Sequence, residues 1–342
     1  MKKSLTAVVV SLAFALMACK GIDANVNASV KRDDVYVVGE IGALWKNGVI
    51  QRLSGEGGEP GYVTANSVFV SGDDIYVAGE ERLPQLGGKI AMLWKNGEGR
   101  RLSGENAIGA AKSVFVSKGN VYVAGHEENK DGIDVATLWV NGVPRRLGDG
   151  SESTNAYSVF VSGDNVYVAG SEENYFATLW INGVPQRLDN DSGYVFSRYA
   201  RADSVFVSGD DVYVAGTDWI GAPRALLWKN SSLQVLQVTA DASSVFVSGG
   251  DVYVAGNERN EDGIFIALLW KNGIVKRLSE GNNNNAYAHS VYVSGGDAYV
   301  AGYEEDATGT PIPTLWKNGV AHSLKESGFT GVARSVFASG GE

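Results

Sequence analysis

The 342-residue sequence predicts an all-β fold, a seven-bladed β-propeller of four-stranded blades, from three observations. The first is a repeated string, SV[FY][VA]S, beginning at Ser67, Ser113, Ser158, Ser204, Ser244, Ser290 and Ser335, at spacings of 46, 45, 46, 40, 46 and 45 residues. The second is a pair of companion strings in the same register. One, [VIA]YV[AV]G, ends at Gly39, Gly79, Gly125, Gly170, Gly216, Gly256 and Gly302. The other, LW followed one residue later by Asn, places Trp45, Trp94, Trp139, Trp180, Trp228, Trp270 and Trp316. The third is the phase of the ends: the first unit opens at Asp33-Asp34-Val35-Tyr36 without a full first strand, and Ser335 to Glu342 supplies a first strand with nothing after it. A C-terminal strand completing the N-terminal blade closes a ring and removes the open edges of an unclosed array.

Each unit reads as four strands. In the fifth, strand A is Ser204 to Ser208, strand B Val212 to Gly216, strand C Ala225 to Lys229 and strand D Leu233 to Val238. A and B are joined by SGDD or SGGD in four units, and C and D by Asn-Gly in six of the seven units; both turns need positive φ, which Gly and Asn adopt cheaply. The fifth unit has Asn230-Ser231 instead and is expected to turn slightly differently. Strands apolar on both faces, such as Val205-Phe206-Val207, belong to sheets stacked between sheets. A four-stranded unit recurring every 40 to 46 residues is a propeller blade. The seven tryptophans, identically placed beside each C–D turn, are expected as packing between blades, and the strand B tyrosines as core or hydrogen-bonded strand residues.

Composition agrees: 44 glycines against 7 prolines suit short strands and tight turns. The formal charge of −10 disfavours a nucleic-acid partner, which needs a basic face. The propeller, 31–342, is expected as a monomer.

Residues 1–18 read as an export signal. Met1-Lys2-Lys3 is basic, Leu5 to Met17 is almost wholly apolar and too short for a good membrane span, and Ala18-Cys19 follows. Leu16-Met17-Ala18-Cys19 resembles the lipobox of bacterial lipoproteins, with Met17 departing from the small residue usual there. The resemblance implies lipidation of Cys19 and, since Lys20 rather than Asp follows it, the outer membrane; an ordinary secretory signal with an incidental cysteine is the alternative. Loss of Lys2 and Lys3 would take the formal charge from −10 to −12. Cys19 is the sole cysteine, so no intramolecular disulfide is available. Residues 19–30 form a polar tether, and Lys20 to Lys31 would reach roughly 40 Å if extended. The units as a whole resemble the YVAG…LWKNG repeats of bacterial lipoprotein β-propellers, a group that implies fold and location and no activity.

In an up-and-down blade the A–B and C–D turns lie on one face of the disc, short and uniform here, and the B–C loops and D–A links on the other, long and variable. The closure point lies at an A–B turn, so the tether is expected on the uniform face and ligands on the variable one. Repeat breaks point to blade five: Trp219, outside the tryptophan register, with Arg224, and Tyr194, Phe196, Arg198, Tyr199 and Arg201 in the long link from Asp189 to Asp203. Aromatics and arginines on variable loops suit a binding hot spot, although packing of the long loop is the plain alternative.

Acidic residues after strand B, namely Glu40, Glu80, Glu81, Glu127, Glu128, Glu172, Glu173, Asp218, Glu258, Glu304 and Glu305, are expected as a ring on the variable face, serving solubility or attracting a cationic partner or metal. Asp131-Gly132, Asp262-Gly263 and Asp189-Asn190-Asp191 offer oxygen ligands suited to Ca2+, without the full spacing of an EF-hand, and no other cofactor is implied. His126, His289 and His322 lie in different units, and neither HExxH nor GxSxG occurs. The expected function is therefore a membrane-anchored, non-catalytic module binding a protein or glycan through the variable face. A glycan-active propeller enzyme, hydrolase or lyase, with carboxylates converging from different loops, is the alternative, and a structural envelope component a third.

Overall fold

The computed structural model describes residues 34–55, 63–83, 87–104, 107–173, 176–188, 199–281, 284–326 and 329–340. Every regular element among them is a β-strand, and the strands form seven four-stranded antiparallel sheets. Blade 1 consists of β1 (Asp34–Gly39), β2 (Ala43–Lys46) and β3 (Val49–Arg52), with β28 (Ala333–Ser339) on the other side of β1. Blades 2 to 7 are A–B–C–D meanders spanning Val63–Arg101, Gly109–Arg146, Thr154–Arg187, Ala200–Val238, Ala240–Arg277 and Ala286–Ser323. The ring closes as expected: β28 pairs with β1 from Asp34↔Ser339 to Gly39↔Ala333. Asp34 thus lies at the turn-bearing end of its blade.

The SVFVS string carries the seam. The serine Oγ of each strand A accepts a hydrogen bond from the valine N–H of the next blade, seven times around at 3.1–3.3 Å, including Val68 to Ser335 across the closure. Two residues on, Phe69, Phe115, Phe160, Phe206, Phe246, Tyr292 and Phe337 form a closed aromatic ring, with successive centroids 4.5–5.1 Å apart. Only strands at the axis can touch in a ring, so strand A is innermost. Tilted rings at this spacing add to the area they bury.

The glycine of YVAG has a defined cause. Strand A bulges between its Ala and Ser in every blade, for example between Ala202 and Ser204, and the bulge pushes a strand A carbonyl onto strand B. A Cβ at Gly170 would overlap the Asn155 carbonyl oxygen, and one at Gly216 that of Arg201. The seven register tryptophans are all buried between blades; Trp180 of blade 4 packs on Ala124, Ala136 and Leu138 of blade 3.

At the C–D turns the Asn of LWKN does two jobs. It takes φ near 53°, and its Oδ1 accepts the first strand B N–H, as Asn182 does from Val166 at 2.9 Å. The blade 5 turn differs only slightly: Asn230 and Ser231 have φ of 50° and 66°, a left-handed pair like the others, with Ser short of the 79–87° that Gly takes there. The hairpin geometry overrides the side chain's preference, at a cost of about 1–2 kcal/mol for a β-carbon in that region. Ser231→Gly is therefore expected to raise stability by about 1 kcal/mol; urea midpoints compared at equal m would show it, and no gain would mean the turn is unstrained.

Strands A to C run further toward the variable face than the repeat strings indicate. In blade 5, β16 spans Ala200–Ser208, β17 Asp211–Ile220, β18 Ala222–Lys229 and β19 Ser232–Val238. Trp219 is thus a strand residue beside a tight turn at Gly221 (φ 75°), rather than part of a loop, and Arg201 belongs to strand A rather than to the D–A link.

Candidate functional site

The repeat breaks of blade 5 converge in part. The Trp219 N–H donates to the Tyr199 carbonyl at 3.0 Å, and the Arg201 guanidinium lies over the Trp219 ring at 5.4 Å. Trp219 and Tyr199 are 39% and 54% exposed, large for aromatics. Trp219 stands between two cavities. On one side is a cleft of about 840 Å³ between blades 5 and 6, with Phe265 on the blade 6 part of its lining and Asp241, Asn257 and Arg259 among its polar groups. On the other is a cavity of about 480 Å³ between blades 4 and 5, lined by Tyr157, Ser171, Tyr199, Arg201 and Trp219. Tyr194, Phe196 and Arg198 lie outside the described residues.

Arg224 does not join this group. It faces Asp218, its cross-strand partner, and donates from Nε to Oδ1 at 2.8 Å with a second bond from its terminal nitrogen. The pair is part of a wider correction, because five of the eleven acidic residues are buried and do not stand on an open rim. Strand B continues through several of them, and both of its faces lie against neighbouring blades. Glu80, Glu81 and Asp218 are 4%, 1% and 3% exposed, and Glu127 and Glu258 are also buried. Glu80 is bonded to Lys89 and Lys112; burial pushes it up, but the two ammonium groups outweigh that and hold it below the ordinary carboxylate value. Glu258 pairs with Arg277 at 2.6 Å, Glu172 and Glu173 with Arg187, and Glu40 with Arg334 at 2.8 Å. Glu305 accepts from Asn285, and burial raises Glu127 and Glu304. Glu128 and Glu304 are half-buried at the end of their strands.

The possible calcium ligands are turn residues. Asn129 Oδ1 accepts from the N–H groups of Asp131 and Ile133, and Asn260 Oδ1 from Ile264, so each loop is closed by its own asparagine. Among the described residues no three of Asp, Glu, His and Cys come together as a cation-binding group. Asp189 and Asp191 lie outside the described residues.

The axial end of the same face is built from residues that the repeat strings passed over. The bulged position, x in Ala-x-Ser, is Asn66, Lys112, Tyr157, Asp203, Ser243, His289 and Arg334 in turn. It lies on the innermost strand, between the aromatic ring and the variable face. One unlike residue in a string otherwise constant was the available signal. Asp203 bonds Arg201 Nε through both oxygens, at 2.8 and 3.0 Å. Burial, followed by the charge of Asp241, nevertheless pushes Asp203 up to about 6, since Arg201 only partly offsets it. Asp241, accepting from Asn257 at 2.9 Å, is also raised by burial. His289 is pushed down to about 4 by burial and by Arg334, so it is neutral at physiological pH; it packs on Tyr303, with ring centroids 5.8 Å apart.

No protein-family model matches the sequence, and no curated protein matches it. Solved structures resemble the fold. A Mycobacterium tuberculosis puromycin-hydrolyzing peptidase is similar at a TM-score of 0.53 and 9% identity, over 85% of this chain and 51% of that one, so the chain spans about half the length of that enzyme. The β-propeller domain of the trilobed protease of Pyrococcus furiosus gives 0.46 and 14%, over 78% and 85% of the two chains. An exo-1,5-α-L-arabinanase from a bovine ruminal metagenomic library gives 0.34 and 8%, over 63% and 98%. At such identities the likeness concerns the fold alone. The chain is a seven-bladed propeller whose distinctive surface is the variable face of blades 4 to 6.

Proposed function

We propose that this protein is a non-catalytic glycan-binding propeller, exported and held at the outer membrane through a lipid on Cys19. The observation that carries the binding reading is the cleft between blades 5 and 6. Trp219 and Phe265 line it from opposite blades, and Asp241, Asn257 and Arg259 lie among its polar groups. Aromatic faces combined with a few convergent hydrogen-bonding groups suit a sugar ring, which has apolar C–H faces and a polar edge. A volume of about 840 Å³ is large enough for more than one sugar residue. The anchoring reading rests on Leu16-Met17-Ala18-Cys19 and the apolar run before it.

Trp219→Ala is expected to abolish capture on a glycan array, or weaken it at least tenfold, while shifting the melting temperature by less than about 2 °C, since the side chain is well exposed. Unchanged capture, or a drop of many degrees, would reject Trp219 as a ligand contact. A hydrolase reading is favoured by one observation, two neighbouring carboxylates raised by burial, Asp241 in the cleft lining and Asp203 behind it at the axis. Reducing ends released from a captured glycan would promote it over simple binding.

A further inference from the structure

The cavity between blades 4 and 5 has a different chemistry from the cleft beside it. Its cation is Arg201, which reaches Asp203 only through Nε. Among the described residues the two terminal guanidinium nitrogens make no hydrogen bond. Trp219 supports the guanidinium plane from one side. Tyr157 and Ser171, whose hydroxyls are hydrogen-bonded to each other at 3.4 Å, leave one further O–H donor for the same lining. A planar fork with free N–H groups, oriented from behind and backed by an aromatic face, matches a carboxylate in bidentate geometry.

We propose that this cavity is a carboxylate subsite built on Arg201, taking a uronic acid residue of a glycan whose neighbouring sugars occupy the cleft on the far side of Trp219. The inference rests on the glycan reading and names its ligand class: an acidic oligosaccharide spanning blade 5. Arg201 binds the carboxylate, the outer hydroxyl of the Tyr157–Ser171 pair donates to it or to a ring oxygen, and Asp203 fixes the guanidinium.

A pH signature separates this role from simple support of Trp219. The charged and titratable groups facing Arg201 are Asp203 on its own strand, Asp241 from blade 6 and Tyr157 from blade 4. Asp203 opposes an incoming anion, and its value of about 6 means that it gains a proton as the pH falls through that point. Bound carboxylate favours that protonation, so affinity must rise as the pH falls from 8 toward 6. The gain is lost only when the uronate itself protonates, at about 3 to 4. A neutral sugar has no such dependence.

The test is calorimetric titration of the protein with tetragalacturonate and with galactotetraose. Wild type is expected to bind the acidic tetramer at least tenfold more tightly, with affinity increasing several-fold between pH 8 and pH 6. Arg201→Gln should lose the preference and the pH dependence while still binding the neutral tetramer, and Asp203→Asn should raise acidic affinity at pH 8. Equal affinities for the two tetramers, or an Arg201→Gln loss shared equally between them, would overturn the subsite and leave the glycan reading standing. So would failure of both to bind while an array-selected neutral glycan binds through Trp219. An array that captures nothing would overturn the glycan reading itself.

Discussion

Trp180→Ala is expected to lower stability by about 3–5 kcal/mol. Trp180 is fully buried, and its neighbours are small: Ala124 and Ala136 of blade 3, Ala156 of its own blade, with Leu138, Val159 and Val168 completing the pocket. Alanines around an indole leave nothing that can swing inward when the ring is removed. The two flanking sheets cannot approach each other either, because the Ser–Val seam and the aromatic ring hold every blade at the axis. The cavity therefore stays open and the cost falls at the high end for a large-to-small change. Calorimetry should show a melting point lower by about 5–10 °C. A loss under about 1 kcal/mol would contradict the assignment of the register tryptophans to the space between blades.

Removal of β28 is expected to have the largest effect of all. It carries Phe337 of the aromatic ring, Ser335 of the seam and the whole inner edge of blade 1. Without it, β1 becomes an unpaired apolar edge facing an open axis, an arrangement prone to aggregation. A chain truncated after Thr330 should fail to give a cooperative melt and should elute as aggregate. A synthetic peptide of residues 331–342 added in trans should restore a folded species by re-pairing with β1. A truncated chain melting within a few degrees of the full one would mean that the ring holds without its clasp.

Much of this was legible in the sequence because repetition converts weak local signals into strong ones. Seven copies in fixed register established the blade count, the Asn-Gly hairpins and the burial of the tryptophans. The unmatched strand at Ser335 announced the closure. The site was legible only as a region. Trp219, Tyr199 and Arg201 do come together, but Arg224 turned out to be claimed by Asp218, and the acidic residues were read as loop when strand B runs through them. That extension is invisible in the repeat strings, which cover the repeated centre of each strand and stop before the end that differs from blade to blade. Asp203 and Asp241 carry no signal in the repeat strings, since each sits in a different unit at a position with no repeating identity.

What the sequence by itself determined is everything that depends on spacing: seven sheets, their turns, their order and the closing strand. Spacing suffices there because strand pairing and hairpin geometry are local and each blade repeats them. Only the tertiary structure decided which polar groups meet. Asp203 and Arg201 are neighbours in one strand, but Asp241 reaches them from the next blade, Tyr157 from the previous one, and Trp219 from across the sheet. Ring closure brings those strands to a common axis, and burial there, not sequence, sets which carboxylates are pushed above their ordinary values.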